Sequence, residues 1–108
     1  YHVVDVQNRG VIGFLPENSV IETSCFVEKD KITRVPLTVA PGEALRSLLI
    51  SVKAYETLAV QAAITGDRQT ALRALACNPI TADLDKVKPC LEEMLLQNRS
   101  LLPRFFPQ

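Results

Sequence analysis

The apolar pattern of this chain changes its period once, at Ala40-Pro41-Gly42-Glu43. Before that point the runs "YHVVDV" and "SVIETSCFV" are rich in β-branched residues, which suit a pleated, half-buried surface. In the second run Val20, Glu22 and Ser24 alternate with Ile21, Thr23 and Cys25, the two-residue period of a strand. A polar turn carrying Asn8, Arg9 and Gly10 separates the two runs. "KITRVPLT" is a third, weaker strand candidate, because Pro36 lacks an N–H and favours a strand edge or end. After the change, Leu45, Leu48, Leu49, Val52, Tyr55, Ala59, Ala62 and Ala63 recur at spacings of three and four, one stripe of a helix.

Gly66 stops this helix and Asp67 is a natural N-cap for the next, over about 68–77, which ends before Asn78-Pro79. Pro89 is tolerated in a first turn but not in a helix interior. The pattern therefore predicts a short turn at 83–87 and a helix over about 89–99, with Glu92 and Glu93 near its positive end. Strands over about 1–38 followed by helices over about 43–99 give an α+β class. The expectation is three strands in an antiparallel or mixed sheet, then three helices, in a single domain or domain fragment spanning 1–108. Three strands are few for an independent sheet, so the stripe of the long helix calls for a partner domain or subunit.

At 108 residues the chain suits one domain with a modest core. Twelve basic residues balance twelve acidic ones, which argues against broad attraction to nucleic acid or an anionic membrane. No unbroken run of eighteen apolar residues occurs, so no membrane span is expected. Cys25, Cys77 and Cys90 are scattered and His2 is the one histidine, too few ligands for a structural zinc site. Such cysteines read as buried, reduced thiols of a cytoplasmic protein. The chain opens inside a strand pattern, which suggests the C-terminal part of a longer protein.

Catalytic constellations are thin: there is no Gly-rich phosphate loop, no Gly-x-Ser-x-Gly and no His-Glu-x-x-His. Nothing in the spacing of the carboxylates selects a pair for glycoside hydrolysis of the usual kind. Tyr55 and Glu56 read as core edge and solvent face, and Asp67-Arg68 as a cap. Asn8-Arg9-Gly10 is the best polar candidate. Gly10 permits a turn with positive φ, and the fork of Arg9 could hold a phosphate or carboxylate. The competing reading is a plain turn with a solvated arginine.

"VVDVQNRGVIGFLPENSVIETSCFV", "YETLAVQAAITGDRQTALRALACNPI" and the closing "LLPRF" together resemble the C-terminal portion of the NAD-dependent family 4 glycosidases, most of all the 6-phospho-β-glucosidases. Ser24, Lys31 and Leu101 depart from the family pattern at packing and turn positions. The resemblance implies the C-terminal part of a lactate/malate-dehydrogenase-like C-terminal domain, concerned with substrate and with oligomerisation. It implies that the full-length enzyme cleaves 6-phosphorylated disaccharides or glucosides by oxidation and elimination, with NAD and a divalent metal, manganese, as cofactors. It also implies a homo-oligomer. The family's catalytic, NAD-binding and metal-binding residues match no position here, so this chain alone is expected to bind neither cofactor and to be inactive. Asn8 and Arg9 are the expected substrate-binding residues, at the sugar-phosphate end of the site. The alternative is a non-catalytic helical interaction or dimerisation module.

Overall fold

A computed structural model describes residues 1–107. The chain divides into two compact units, Tyr1–Gly42 and Glu43–Gln108, each with its own packing. The first is a three-stranded antiparallel meander: β1 (His2–Gln7), β2 (Val20–Val27) and β3 (Ile32–Arg34), in the order β1-β2-β3. His2 lies opposite Cys25 and Gln7 opposite Val20, while Cys25 on its other side faces Arg34. This register puts Val4, Val6, Ile21, Thr23 and Cys25 on one face, and Ile21 and Cys25 are buried there. Val3, Asp5, Val20, Glu22 and Ser24 line the other, exposed face. The alternation expected of the second run therefore holds. The third strand is only three residues long and ends before Pro36, as a proline without a donor requires.

The second unit holds the helices α1 (Glu43–Thr65), α2 (Arg68–Cys77) and α3 (Val87–Gln97), with short 3₁₀ turns at Leu84–Lys86, Arg99–Leu101 and Pro103–Phe105. Pro89 falls in the first turn of α3, where its missing N–H leaves no intrahelical bond unmade. The core of this unit is Ala62, Leu91, Leu95 and Phe105, with Ala71, Leu72, Leu75, Leu102 and Phe106 packed around it. Alanines at the α1–α2 contact let the two backbones approach closely. Part of the helical surface opens as an apolar cleft of about 180 Å³, lined in part by Tyr55, Ala59, Ala74 and Met94. It offers little to hydrogen-bond a sugar.

The junction between α1 and α2 is tightly built. Gly66 has φ +74 and its N–H donates to the Ala62 carbonyl at 2.8 Å, a left-handed helix cap. A Cβ at Gly66 would lie 2.0 Å from the Arg104 carbonyl oxygen, so the position admits only glycine for space as well as for φ. Arg104 in turn donates from Nη1 to the Ile64 carbonyl at 2.8 Å, satisfying one of the last carbonyls of α1. Asp67 caps α2 as the sequence predicts, accepting from the amides of Gln69 and Thr70 at 3.1 Å each and from the Thr70 hydroxyl.

One expectation is corrected. Only Cys25 is buried; Cys77 and Cys90 are exposed, because they fall on the outward side of α2 and α3. By length and composition α1 is apolar enough to cross a bilayer, with a mean hydropathy of 1.2 over its best window and only 6% of that window buried. Lys53 and Glu56, paired with each other, interrupt the apolar run that the sequence criterion required. Leu45, Leu48, Ile50, Val60 and Ile64 are all exposed on this helix.

Candidate functional site

Residues 8–19, between β1 and β2, carry the one fully buried polar side chain of the sheet unit among the described residues. Asn8 has 0% exposure and uses its whole carboxamide inside the loop. Its Nδ2 donates to the carbonyls of Ile12 and Leu15 at 2.9 Å each and of Pro16 at 3.2 Å, and its Oδ1 accepts from the Ile12 amide at 2.7 Å. The Asn8 main chain closes the ends as well, its N–H donating to the Ser19 carbonyl at 2.7 Å. A loop without regular structure must satisfy its buried carbonyls somehow, and here one amide does so. Leu15, buried beside it, supplies the apolar anchor.

That bonding fixes the next two residues. The Val11 N–H donates to the Asn8 carbonyl at 3.1 Å across Arg9 at φ +44 and Gly10 at φ +86. Both central residues are left-handed, the pattern of a type I′ turn. For Gly10 that is ordinary; for arginine it costs about 1–2 kcal/mol. The Arg9 amide donates to the Glu17 carbonyl at 2.9 Å, which pins the turn from below.

The two residues that sequence reasoning paired thus separate in the structure. Asn8 faces inward and is saturated, whereas Arg9 is exposed. The Arg9 side chain makes one hydrogen bond, from Nε to Gln7 Oε1 at 3.3 Å. Gln7 also receives a second arginine: Arg34 of β3 donates from its Nε to the Gln7 main-chain carbonyl at 2.7 Å. Sequence reasoning missed Gln7 and Arg34. They lie 27 positions apart, and β3 pairs with Cys25–Val27, the end of β2 away from the Val20 that faces Gln7, so the strand register does not itself announce the bond. The weak strand signal of "KITR" carried no hint of it.

The other arginine singled out with a turn glycine, Arg68, is fully engaged. It pairs with Glu92, donates to the Phe105 carbonyl at 3.4 Å and lies 4.8 Å from the centre of the Phe106 ring. Asp67 beside it is held below the usual carboxyl value of 3.8, first by the Thr70 hydroxyl and then by the amides of Gln69 and Thr70. Both belong to the helix junction. Among the described residues no three His, Cys, Asp or Glu side chains converge as metal ligands would.

Residues 1–81 match the family 4 glycosyl hydrolase C-terminal domain. The chain is similar to a probable 6-phospho-beta-glucosidase of Bacillus subtilis, 36% identical over 95% of this chain and 23% of that protein. It is similar in structure to the 6-phospho-beta glucosidase of Thermotoga maritima solved with manganese, NAD+ and glucose-6-phosphate. The TM-score is 0.81 at 31% identity, over 94% of this chain and 25% of the other. A 6-phospho-alpha-glucosidase from gut microorganisms shares the fold, with a TM-score of 0.85 at 24% identity over 94% of this chain and 23% of the other. The chain thus spans about a quarter of the length of these proteins. It belongs to the family 4 glycosyl hydrolases, within the C-terminal domain of that family.

Proposed function

We propose that this chain is part of a 6-phospho-β-glucosidase, in which Arg9 meets the phosphate of a 6-phosphorylated glucoside or disaccharide. The observation that supports this is the bonding of Arg9. Its Nε is tied to Gln7, its turn is locked by Asn8, and its Nη1 and Nη2 have no partner among the described residues. A guanidinium in that state presents a planar fork to a phosphate or carboxylate. Asn8 serves the same end indirectly, by shaping the turn that Arg9 occupies.

NAD and manganese would be held by the rest of the enzyme, about three quarters of whose length lies outside this chain in its relatives. NAD supplies a hydride acceptor at the sugar, a route outside the two-carboxylate scheme of most glycosidases. What this chain contributes is binding and orientation of the substrate, and taken alone it cleaves nothing. The whole enzyme works in the cytoplasm as a homo-oligomer, and the exposed apolar residues of α1 suit a subunit or domain contact.

The test is Arg9→Ala in the enzyme that contains this chain. The kcat/KM for a 6-phosphorylated β-glucoside should fall about 10- to 100-fold, the loss of one or two charge-assisted hydrogen bonds. An unchanged kcat/KM would remove Arg9 from the site. Hydrolysis of a 6-phosphorylated α-glucoside in preference to the β-linked one would overturn the β assignment.

A further inference from the structure

We infer that Cys90 and Met94 form a two-sulfur site for a soft monovalent cation, Cu(I), on the outer face of α3. The Cys90 Sγ and the Met94 Sδ lie 3.8 Å apart. Residues four apart on a helix are neighbours on its surface, so the spacing itself brings the two sulfurs together. Leu91 and Leu95, one position further along in each case, are buried in the core of the helical unit. They hold the Cys90–Met94 side of α3 turned outward, and both sulfur residues are exposed. A thiol is a weak donor and a thioether a weak acceptor, so their contact at an exposed position adds little to packing.

The pair of donors selects the ion. Thiolate and thioether are soft ligands that suit Cu(I), whereas manganese prefers oxygen ligands and structural zinc takes four donors. Cu(I), a monovalent closed-shell ion, is satisfied by two. Charge balances as well. Cu(I) replaces the thiol proton, the proton passes to solvent, and the thiolate–Cu(I)–thioether unit is neutral. It needs no carboxylate beside it, and nothing is oxidised or reduced. Two metal–sulfur bonds of about 2.3 Å, the zinc–thiolate length, span sulfurs 3.8 Å apart at a bent angle. Rotation about the flexible side-chain bonds of Met94 opens that angle.

The other two cysteines mark what is particular to Cys90. Cys25 is buried, out of reach of an ion in solution. Cys77 is exposed as Cys90 is, but Met94 is the one methionine of the chain and its sulfur lies against Cys90. Of the three thiols, Cys90 is the one that is both reachable and provided with a methionine sulfur. A lone surface thiol offers one bond to the ion, and the pair offers two from a rigid helix, with little ordering left to offset the gain.

The single methionine makes the test direct. Isotopic labelling of the methionine methyl carbon gives the 108-residue chain one such NMR signal. Titrated without oxygen with Cu(I) as its acetonitrile complex, that signal should shift and stop shifting at one equivalent. Zinc and manganese at the same concentrations should leave it unmoved. Cys77→Ser should titrate as the wild type does, and Cys90→Ser should lose the shift at one equivalent. Met94→Leu should weaken Cu(I) binding at least about tenfold in competition with a chromogenic chelator, since even a change outside the ligand set costs that much. A wild-type methyl signal that stays still as Cu(I) is added overturns the two-sulfur site, whatever the variants do. An equal shift in Cys90→Ser, or an unchanged affinity in Met94→Leu, overturns it as well.

Discussion

Two turns in this chain have nearly the same make-up, a glycine at positive φ beside an arginine, and they do opposite things. At Thr65-Gly66-Asp67-Arg68 every polar group is consumed locally. Asp67 caps α2, Gly66 admits the Arg104 backbone, and Arg68 is held by Glu92, the Phe105 carbonyl and the Phe106 ring. At Gln7-Asn8-Arg9-Gly10 the asparagine is consumed and the arginine is not. The first turn is an architectural joint between two helices. The second is a platform that holds a cation toward solvent, in a left-handed turn fixed by the Asn8 carboxamide and the Arg9 amide. A family motif is therefore no guide to which residues act; the guide is which donors remain after the fold has been satisfied.

The largest effect should come from the joint. Gly66→Ala forces a Cβ into the Arg104 carbonyl and asks an alanine to hold φ +74. Left-handed backbone costs about 1–2 kcal/mol and overpacking about 1–3, so the variant should lose about 3 kcal/mol of stability in urea denaturation followed by circular dichroism. A loss below about 1 kcal/mol would mean that the joint is loose, and the contrast between the two turns would weaken.

The platform should be next. Asn8→Ala leaves the carbonyls of Ile12, Leu15 and Pro16 without their donor and should cost about 2 kcal/mol, the usual penalty for unsatisfied buried groups. Asn8→Asp should do no better, because a carboxylate cannot donate to three carbonyls. Amide exchange should accelerate at Ile12 first, since its N–H bonds to the Asn8 carboxamide oxygen, and then at Val11, whose N–H bonds to the Asn8 main-chain carbonyl within the same turn. Protection retained at those two amides would show that the loop holds without it.

Much of this architecture can be read from residue order. The two-residue period of 20–25, the three-and-four spacing from Leu45 onward and the Gly66-Asp67 boundary are local signals, and each one produces the element it implies. The cysteines misled because α2 and α3 bury only one stripe each, and position within a helix decides exposure more than residue type does. The site was half legible. Asn8 and Arg9 stand out in sequence as one polar motif, yet adjacent residues in a turn face different ways, and only the fold assigns one to the interior. Arg34 could not be found at all, because its link to Gln7 is a side-chain contact across 27 positions with no local trace.

Asp67 allows the joint to be probed by pH. Its carboxyl is held below the usual 3.8, chiefly by the Thr70 hydroxyl, so the folded state favours the charged form. A group with a depressed folded pKa contributes stability that is fully present above its unfolded value and is lost as pH falls through the folded one. Helicity should therefore show an acid step beginning near 3.8 and completing below it. Asp67→Asn preserves a good cap and should abolish that step while leaving stability near neutral pH almost unchanged. An identical acid profile in the variant would place the step elsewhere.

The smallest effect concerns the open face of the sheet, away from both turns. Asp5 and Glu22 are direct cross-strand partners and both are exposed. Like charges in that position repel, and an opposite pair contributes about 0.2–1 kcal/mol. Glu22→Lys should therefore raise stability by about 0.5 kcal/mol, with the gain fading at high salt as screening shortens the reach of the charges. Repeating it in an Asp5→Asn background should remove most of the gain, because the new lysine then faces no carboxylate. If the gain persists there, it comes from the strand propensity of the new residue and not from the pair, and the acidic facing of β1 and β2 carries no electrostatic penalty.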